Sequence, residues 1–232
     1  MNKLYNKLKK YTLEDAIKIE ESDRQYLALK LMEYMTHPIP SLNSNGRRQQ
    51  LNYLLIIANA IICYQLSKED YWEEFDFFLP LIGGDAKAEG VIYGLSDFIK
   101  QSKNNKRFID TKIKRLEKLK PFLEKFIREE EYYDDMEKLR DELAKTMKQK
   151  KDAKTIVFAV KMFSYARNYF DRLVYFPESI SIPIDSRLNN LFESYKNYTD
   201  INKFYFDLSN KLKIPELHLD AIVWVNYDEL IK

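Results

Sequence analysis

The chain has 232 residues, 45% hydrophobic and 14% aromatic, enough for a packed core in one large domain or two small ones. Its 38 basic and 36 acidic residues leave a formal charge of +2, which excludes a polybasic coat and requires any anionic partner to meet a local basic face. The single cysteine, Cys63, excludes an internal disulfide and a four-cysteine zinc or iron–sulfur site, and the five glycines leave no room for a dinucleotide fingerprint or a phosphate loop. Two distant histidines, His37 and His218, point away from a transition-metal centre. Residues 1–10 lack the apolar run and cleavage site of a leader, and no segment approaches membrane-spanning length, so a soluble cytoplasmic protein is expected.

Helical periodicity begins at Thr12-Leu13-Glu14-Asp15, a capping box before a pattern that runs to about residue 35. His37-Pro38-Ile39-Pro40 breaks it. A second helix is expected over residues 47–66, with an almost wholly apolar centre that marks it as the most buried of the fold. Residues 67–70 restart a helix carrying Trp72, Phe75 and Phe78, and Gly83-Gly84 is a turn before a helix over about 85–100. After a loop at Asn104-Asn105, the charged run over 112–120 reads as a solvated helix face, with Pro121 opening a separate short helix. Residues 134–147 form another helix, ending in the basic turn 148–151. A helix carrying Lys154 follows, then an irregular connection beyond Asp171 and helices from Asp185, Asp200 and about Glu216. No segment sustains strand alternation, so the fold class is all-α.

On the Lys154 helix, Ile156, Ala159, Val160, Phe163 and Phe170 form a core stripe, while Lys154, Phe158, Lys161 and Tyr165 share a neighbouring face. A lysine in the first helical turn is unusual, because the positive end of the helix dipole disfavours an ammonium there. An unprotonated lysine is a nucleophile that forms Schiff bases. By spacing alone, Lys154 and Lys161 read as surface lysines, Asp185 as a helix N-cap, and Trp72 and Trp224 as core. Asp220 and Trp224, four apart, place a carboxylate beside an aromatic plane, which suits reading the edge of a purine. Gln25 could add a donor and an acceptor.

Three ordered motifs resemble one family. They are Lys154-Thr155-Ile156-Val157-Phe158 with Lys161, Ile182-Pro183-Ile184-Asp185 with Arg187, and Leu217-His218-Leu219-Asp220 with Trp224. Asp23-Arg24-Gln25-Tyr26 and Tyr71-Trp72-Glu73-Glu74-Phe75 add support. The chain resembles, over nearly its whole length, the archaeal 8-oxoguanine DNA glycosylases, a divergent branch of the helix-hairpin-helix base-excision enzymes.

The resemblance implies a bifunctional glycosylase and abasic-site lyase that removes oxidised guanine and nicks the strand. Lys154 matches the catalytic lysine and Asp185 the catalytic aspartate. Gln25, Trp72, Lys161, Asp220 and Trp224 match positions lining the base pocket, where the two tryptophans would sandwich the extruded base. The implied fold has two helical subdomains, residues 47–171 and residues 1–46 with 172–232, forming a single unit over 1–232. It carries a helix-hairpin-helix element, with the active site in the cleft between the subdomains. The expected partner is damaged DNA containing 8-oxoguanine, met by a monomer without metal, cofactor or membrane, cytoplasmic and nucleoid-associated when acting. The turn over 148–152 departs from the usual glycine-bearing hairpin, and Lys148, Lys150 and Lys151 could compensate through charge. Two readings of other classes stand beside this one: a non-catalytic all-helical nucleic-acid-binding protein and a structural helical partner.

Overall fold

The computed structural model describes residues 2–29, 45–68, 70–78, 87–128, 130–195 and 198–232, without the side chains of 45–49 and 130. All its regular elements among these residues are helical. The glycine turn at 83–84 and the break at residues 37–40 lie outside the described residues. None of the described helices is long and apolar enough to cross a membrane. The chain divides into two compact units, residues 24–174 and residues 1–23 with 175–232.

The larger unit is built around α3 (Asn45–Ile62), whose residues from Leu51 to Ile62 are all buried. A run of Leu, Ile and Ala, interrupted by Asn52, Tyr53 and Asn59, buries every face of the helix, and each large apolar side chain so buried contributes roughly 1.5–3 kcal/mol. α4 (Tyr71–Phe78) and α5 (Ala88–Gln101) follow it, and α6 (Ile109–Arg128) packs on α3 and α5. A 3-10 turn at Glu130–Tyr133 leads to α7 (Met136–Met147), capped by Asp135, whose side chain accepts from the Lys138 N–H. α8 (Lys154–Phe170) then packs on α3 and α7. The loop between α5 and α6 is clamped by Glu74, whose carboxylate accepts from Ser102 Oγ at 2.6 Å, Lys103 N at 2.6 Å and Asn104 N at 3.1 Å.

The smaller unit holds α1 (Asn2–Leu8), α2 (Leu13–Glu21), α9 (Ser186–Glu193), α10 (Ile201–Leu212) and α11 (Glu216–Leu230) around Leu4, Leu8, Leu188, Leu191, Phe204, Leu208 and Ile222. α11 packs against α2, α9 and α10.

The Thr12 capping box forms as its sequence predicts, with the Asp15 N–H donating to Thr12 Oγ1 at 3.2 Å and the Thr12 N–H to Asp15 Oδ2 at 2.9 Å. Other expectations need correction. The helix from Thr12 ends at Glu21, because the Ser22 N–H and hydroxyl both turn back to the Ile19 carbonyl, and a new helical stretch occupies residues 24–29. The buried helix ends at Ile62, not Leu66. Pro121 lies inside α6 instead of opening a helix, since Leu116, Leu119, Phe122, Leu123 and Phe126 bury one stripe across it and packing outweighs the lost hydrogen bond. Lys112, assigned to a solvated face, is wholly buried: its ammonium donates to Asn105 Oδ1 and sits 4.8 Å from the Tyr64 ring centroid.

Candidate active site

In the larger unit α8 organises the candidate residues. Its N-cap, Ala153, is extended and offers no side-chain cap, so Lys154 opens the helix at an exposed position. Ile156, Ala159, Val160 and Phe163 fill the core stripe. On the neighbouring face, Phe158 lies 6.5 Å from Trp72, which also meets Tyr71 and Phe75 edge-on at 6.0 Å each. One turn further on, the Lys161 ammonium sits 5.6 Å from the Tyr165 ring centroid, and Tyr165 is packed edge-on by Tyr26, the neighbour of Gln25, at 5.5 Å. Lys154, Trp72, Lys161 and the stretch bearing Gln25 are thus gathered on or against one face of α8. Lys161 is 5% exposed and Trp72 4%, so the surface reading fails for Lys161 while Lys154 keeps it.

Lys154 also acts on the end of α3. Burial pushes the Cys63 thiol up to about 12, and the charges of Lys112 and Lys154 pull the other way. Cys63 is therefore a neutral thiol and a poor nucleophile.

In the smaller unit Asp185 caps α9, with Oδ1 accepting from the Leu188 N–H at 3.0 Å. Two residues on, the Arg187 guanidinium lies 3.8 Å from the Trp224 ring centroid and 5.8 Å from that of Tyr227. Trp224 is 50% exposed, so it is a surface platform and not core. Asp220 stands one turn before it on α11. Burial raises the Tyr205 phenol well above its usual range, and the charges of Asp185 and Asp220 push it further, which places both carboxylates in electrostatic reach of one hydroxyl. That hydroxyl donates to the Leu188 carbonyl at 2.7 Å.

The connection leading to Asp185 is held by buried groups of α11. The Ile182 N–H donates to Glu216 Oε2 at 2.9 Å, and the Phe176 N–H donates to His218 Nε2 at 3.2 Å. Because Nε2 accepts there, the His218 proton sits on Nδ1 and is given to Glu20 Oε1, 2.9 Å away. Burial raises the Glu216 carboxyl to about 7, opposed by the Ile182 N–H.

The sequence profile of a family described as AGOG, N-glycosylase/DNA lyase, matches residues 5–231. The chain belongs to this family. An N-glycosylase/DNA lyase of Methanococcus maripaludis is 39% identical over 213 residues, covering 88% of this chain and 78% of the relative. That of Thermococcus kodakarensis is 36% identical over 230 residues, covering 96% and 82%. Among solved structures, the crystal structure of the 8-oxoguanosine-complexed 8-oxoguanine DNA glycosylase from Pyrobaculum aerophilum superimposes with a TM-score of 0.78 at 20% identity, covering 97% of this chain and 86% of that one. At that identity the likeness establishes the fold, which is the all-helical one read from the sequence.

Sequence reasoning missed two buried residues that hold the segment leading to Asp185. Glu216, named only as the approximate start of a helix, precedes the Leu217-His218-Leu219-Asp220 motif and is 2% exposed. His218 was weighed only as a metal ligand. The available signal was their position beside Asp220, Glu216 just before the motif and His218 within it.

Proposed function

We propose that this N-glycosylase/DNA lyase excises 8-oxoguanine from DNA through a Schiff base on Lys154 and then cleaves the strand by β-elimination. The observation that carries the reading is the single face of α8 on which the exposed Lys154 is followed by Phe158 against Trp72, then by Lys161 and Tyr165. The relatives named N-glycosylase/DNA lyase and the 8-oxoguanosine complex of the Pyrobaculum protein support the activity and the base.

Chemistry at a stacked nucleotide requires it to be flipped out, at a few kcal/mol that pocket contacts must offset. Half-exposed Trp224 offers an aromatic surface, worth about 1–3 kcal/mol per stacked base, whereas Trp72, buried against Tyr71, Phe75 and Phe158, would have to be uncovered to stack. Gln25, Lys161 and Asp220 supply the polar contacts to the base edge. As the glycosidic bond lengthens, positive charge grows on the sugar and the Asp185 carboxylate stabilises it. The Lys154 amine, as the free base, bonds to C1′ while the base departs. Loss of the amine proton and opening of the sugar ring give a protonated imine. That imine draws electrons from C2′, so a C2′ proton is lost and the C3′–O bond breaks, leaving the 3′ phosphate ester as the leaving group. Water then hydrolyses the imine and restores the lysine. Exposed Lys148, Lys150 and Lys151, in the turn before Lys154, are placed to meet backbone phosphates.

Borohydride reduction of a reaction on 8-oxoguanine duplex should trap a covalent adduct, and Lys154→Ala should abolish it. An undiminished adduct in that variant would sink the assignment. DNA binding by the wild type without any cleavage would select the non-catalytic reading instead.

A further inference from the structure

The turn joining α7 to α8 contains no glycine, and its left-handed position, which favours glycine, is taken by Lys148 at φ 50° and ψ 49°. The turn is held instead by side chains reaching from α6. Lys118 Nζ donates to the Met147 carbonyl at 2.5 Å, at the C-terminal end of α7. Arg115 Nη2 donates to Gln149 Oε1 and to Thr155 Oγ1, each at 3.3 Å, and the Thr155 hydroxyl donates to the same Gln149 oxygen at 3.2 Å. Gln149 is the second residue after α7, and Thr155 is the second residue of α8, next to Lys154. One guanidinium therefore ties the two sides of the turn together immediately beside the nucleophile.

The environment of Arg115 is not that of an arginine kept for an ion pair. Its contacts are neutral oxygens and the Tyr64 ring, whose centroid is 5.3 Å from the guanidinium carbon, and among the described residues its buried Nε has no partner. Burial lowers its pKa, with only Tyr64 acting against it. A partly desolvated guanidinium bridging two neutral side chains is a costly way to hold a surface turn. It is explicable when the turn must have one geometry.

We propose that Arg115 is a positioning residue, which fixes the start of α8, and with it the Lys154 amine, by cross-linking Gln149 to Thr155. The inference rests on the reading of Lys154 as nucleophile. A misplacement of about 1 Å in a reacting group lowers a rate on the order of 100-fold, so a loosened turn acts on chemistry more than on binding.

The test uses the full chain and single-turnover trapping on 8-oxoguanine duplex, with DNA affinity measured in parallel. Arg115→Ala should slow adduct formation by about 10-fold to 100-fold while changing the duplex Kd by less than about 3-fold. Arg115→Lys, which keeps the charge but lacks the fork, should likewise leave affinity unchanged and fail to restore the rate. Thr155→Val is isosteric and keeps the fold testable should Arg115→Ala fail to fold; it should slow trapping by several-fold and add nothing to Arg115→Ala in the double variant. Wild-type trapping rates in Thr155→Val and Arg115→Ala, additive losses, or a loss matched by the fall in affinity would each overturn the proposal. Absence of any adduct in the wild type would instead overturn the reading of Lys154 on which it stands.

Discussion

Asp76 lies on α4 one turn beyond Trp72, is 4% exposed, and among the described residues neither of its carboxyl oxygens has a hydrogen-bond partner. Burial, with a smaller push from the Glu73 charge, raises its pKa from 3.8 to about 8. Between those values the folded chain holds a proton that the unfolded chain has lost. The stabilisation from keeping this carboxyl neutral is therefore complete below pH 3.8, falls as pH rises, and is gone above about 8. At ~1.36 kcal/mol per pH unit, the passage from about pH 5 to about pH 8 removes at most roughly 4 kcal/mol. That is a large part of the ~5–15 kcal/mol by which domains are stable. Asp76→Asn keeps the shape but cannot ionise, so its stability relative to wild type should rise by a few kcal/mol across that interval. Urea unfolding of both proteins at three pH values measures this, and Glu216, which titrates in the same range, cancels in the difference. A wild-type-to-variant difference constant to within about 0.5 kcal/mol at all three values would refute the reasoning.

Asp185 has a capping role and a proposed catalytic one, and two substitutions separate them. Asp185→Asn retains the cap and should slow base removal by orders of magnitude, with unchanged melting temperature and little change in DNA affinity; equal losses in rate and affinity would favour the cap alone. Asp185→Ala should in addition lower stability by about 1 kcal/mol, read from urea unfolding. Glu216→Gln keeps an acceptor for the Ile182 N–H and should retain activity, while Glu216→Ala frees the segment before Asp185 and should lower the excision rate by about 10-fold or more at saturating DNA, a drop visible in single-turnover kinetics.

How much of this molecule could be read in its sequence depends on the range of the interaction involved. Caps are local, so those at Thr12 and Asp185 were legible; Asp200, read as the start of a helix, caps it too, accepting from the Asn202 N–H at 2.9 Å and the Lys203 N–H at 3.2 Å, within the reach of a three-residue pattern. The burial of α3 was legible because its apolar run leaves no polar face. Lys112 was not, since what admits a charge to the core is an acceptor on Asn105 and a ring on Tyr64, brought there by other elements. The candidate site shows the same division. Helical spacing puts Lys154 and Lys161 on one face, and Trp72 and Trp224 are the same residue type, but spacing and type cannot say that one of each pair is buried and the other exposed. The turn before Lys154 is the sharpest case. A glycine there would have announced its geometry locally. With Lys148 in the left-handed position the turn depends on Arg115 and Lys118, which lie 34 and 29 residues before the turn residues they bind, on another helix, and a periodicity argument has no means of joining them. The lysine proposed as nucleophile was therefore legible in this sequence, and the contacts that tether the start of its helix were not.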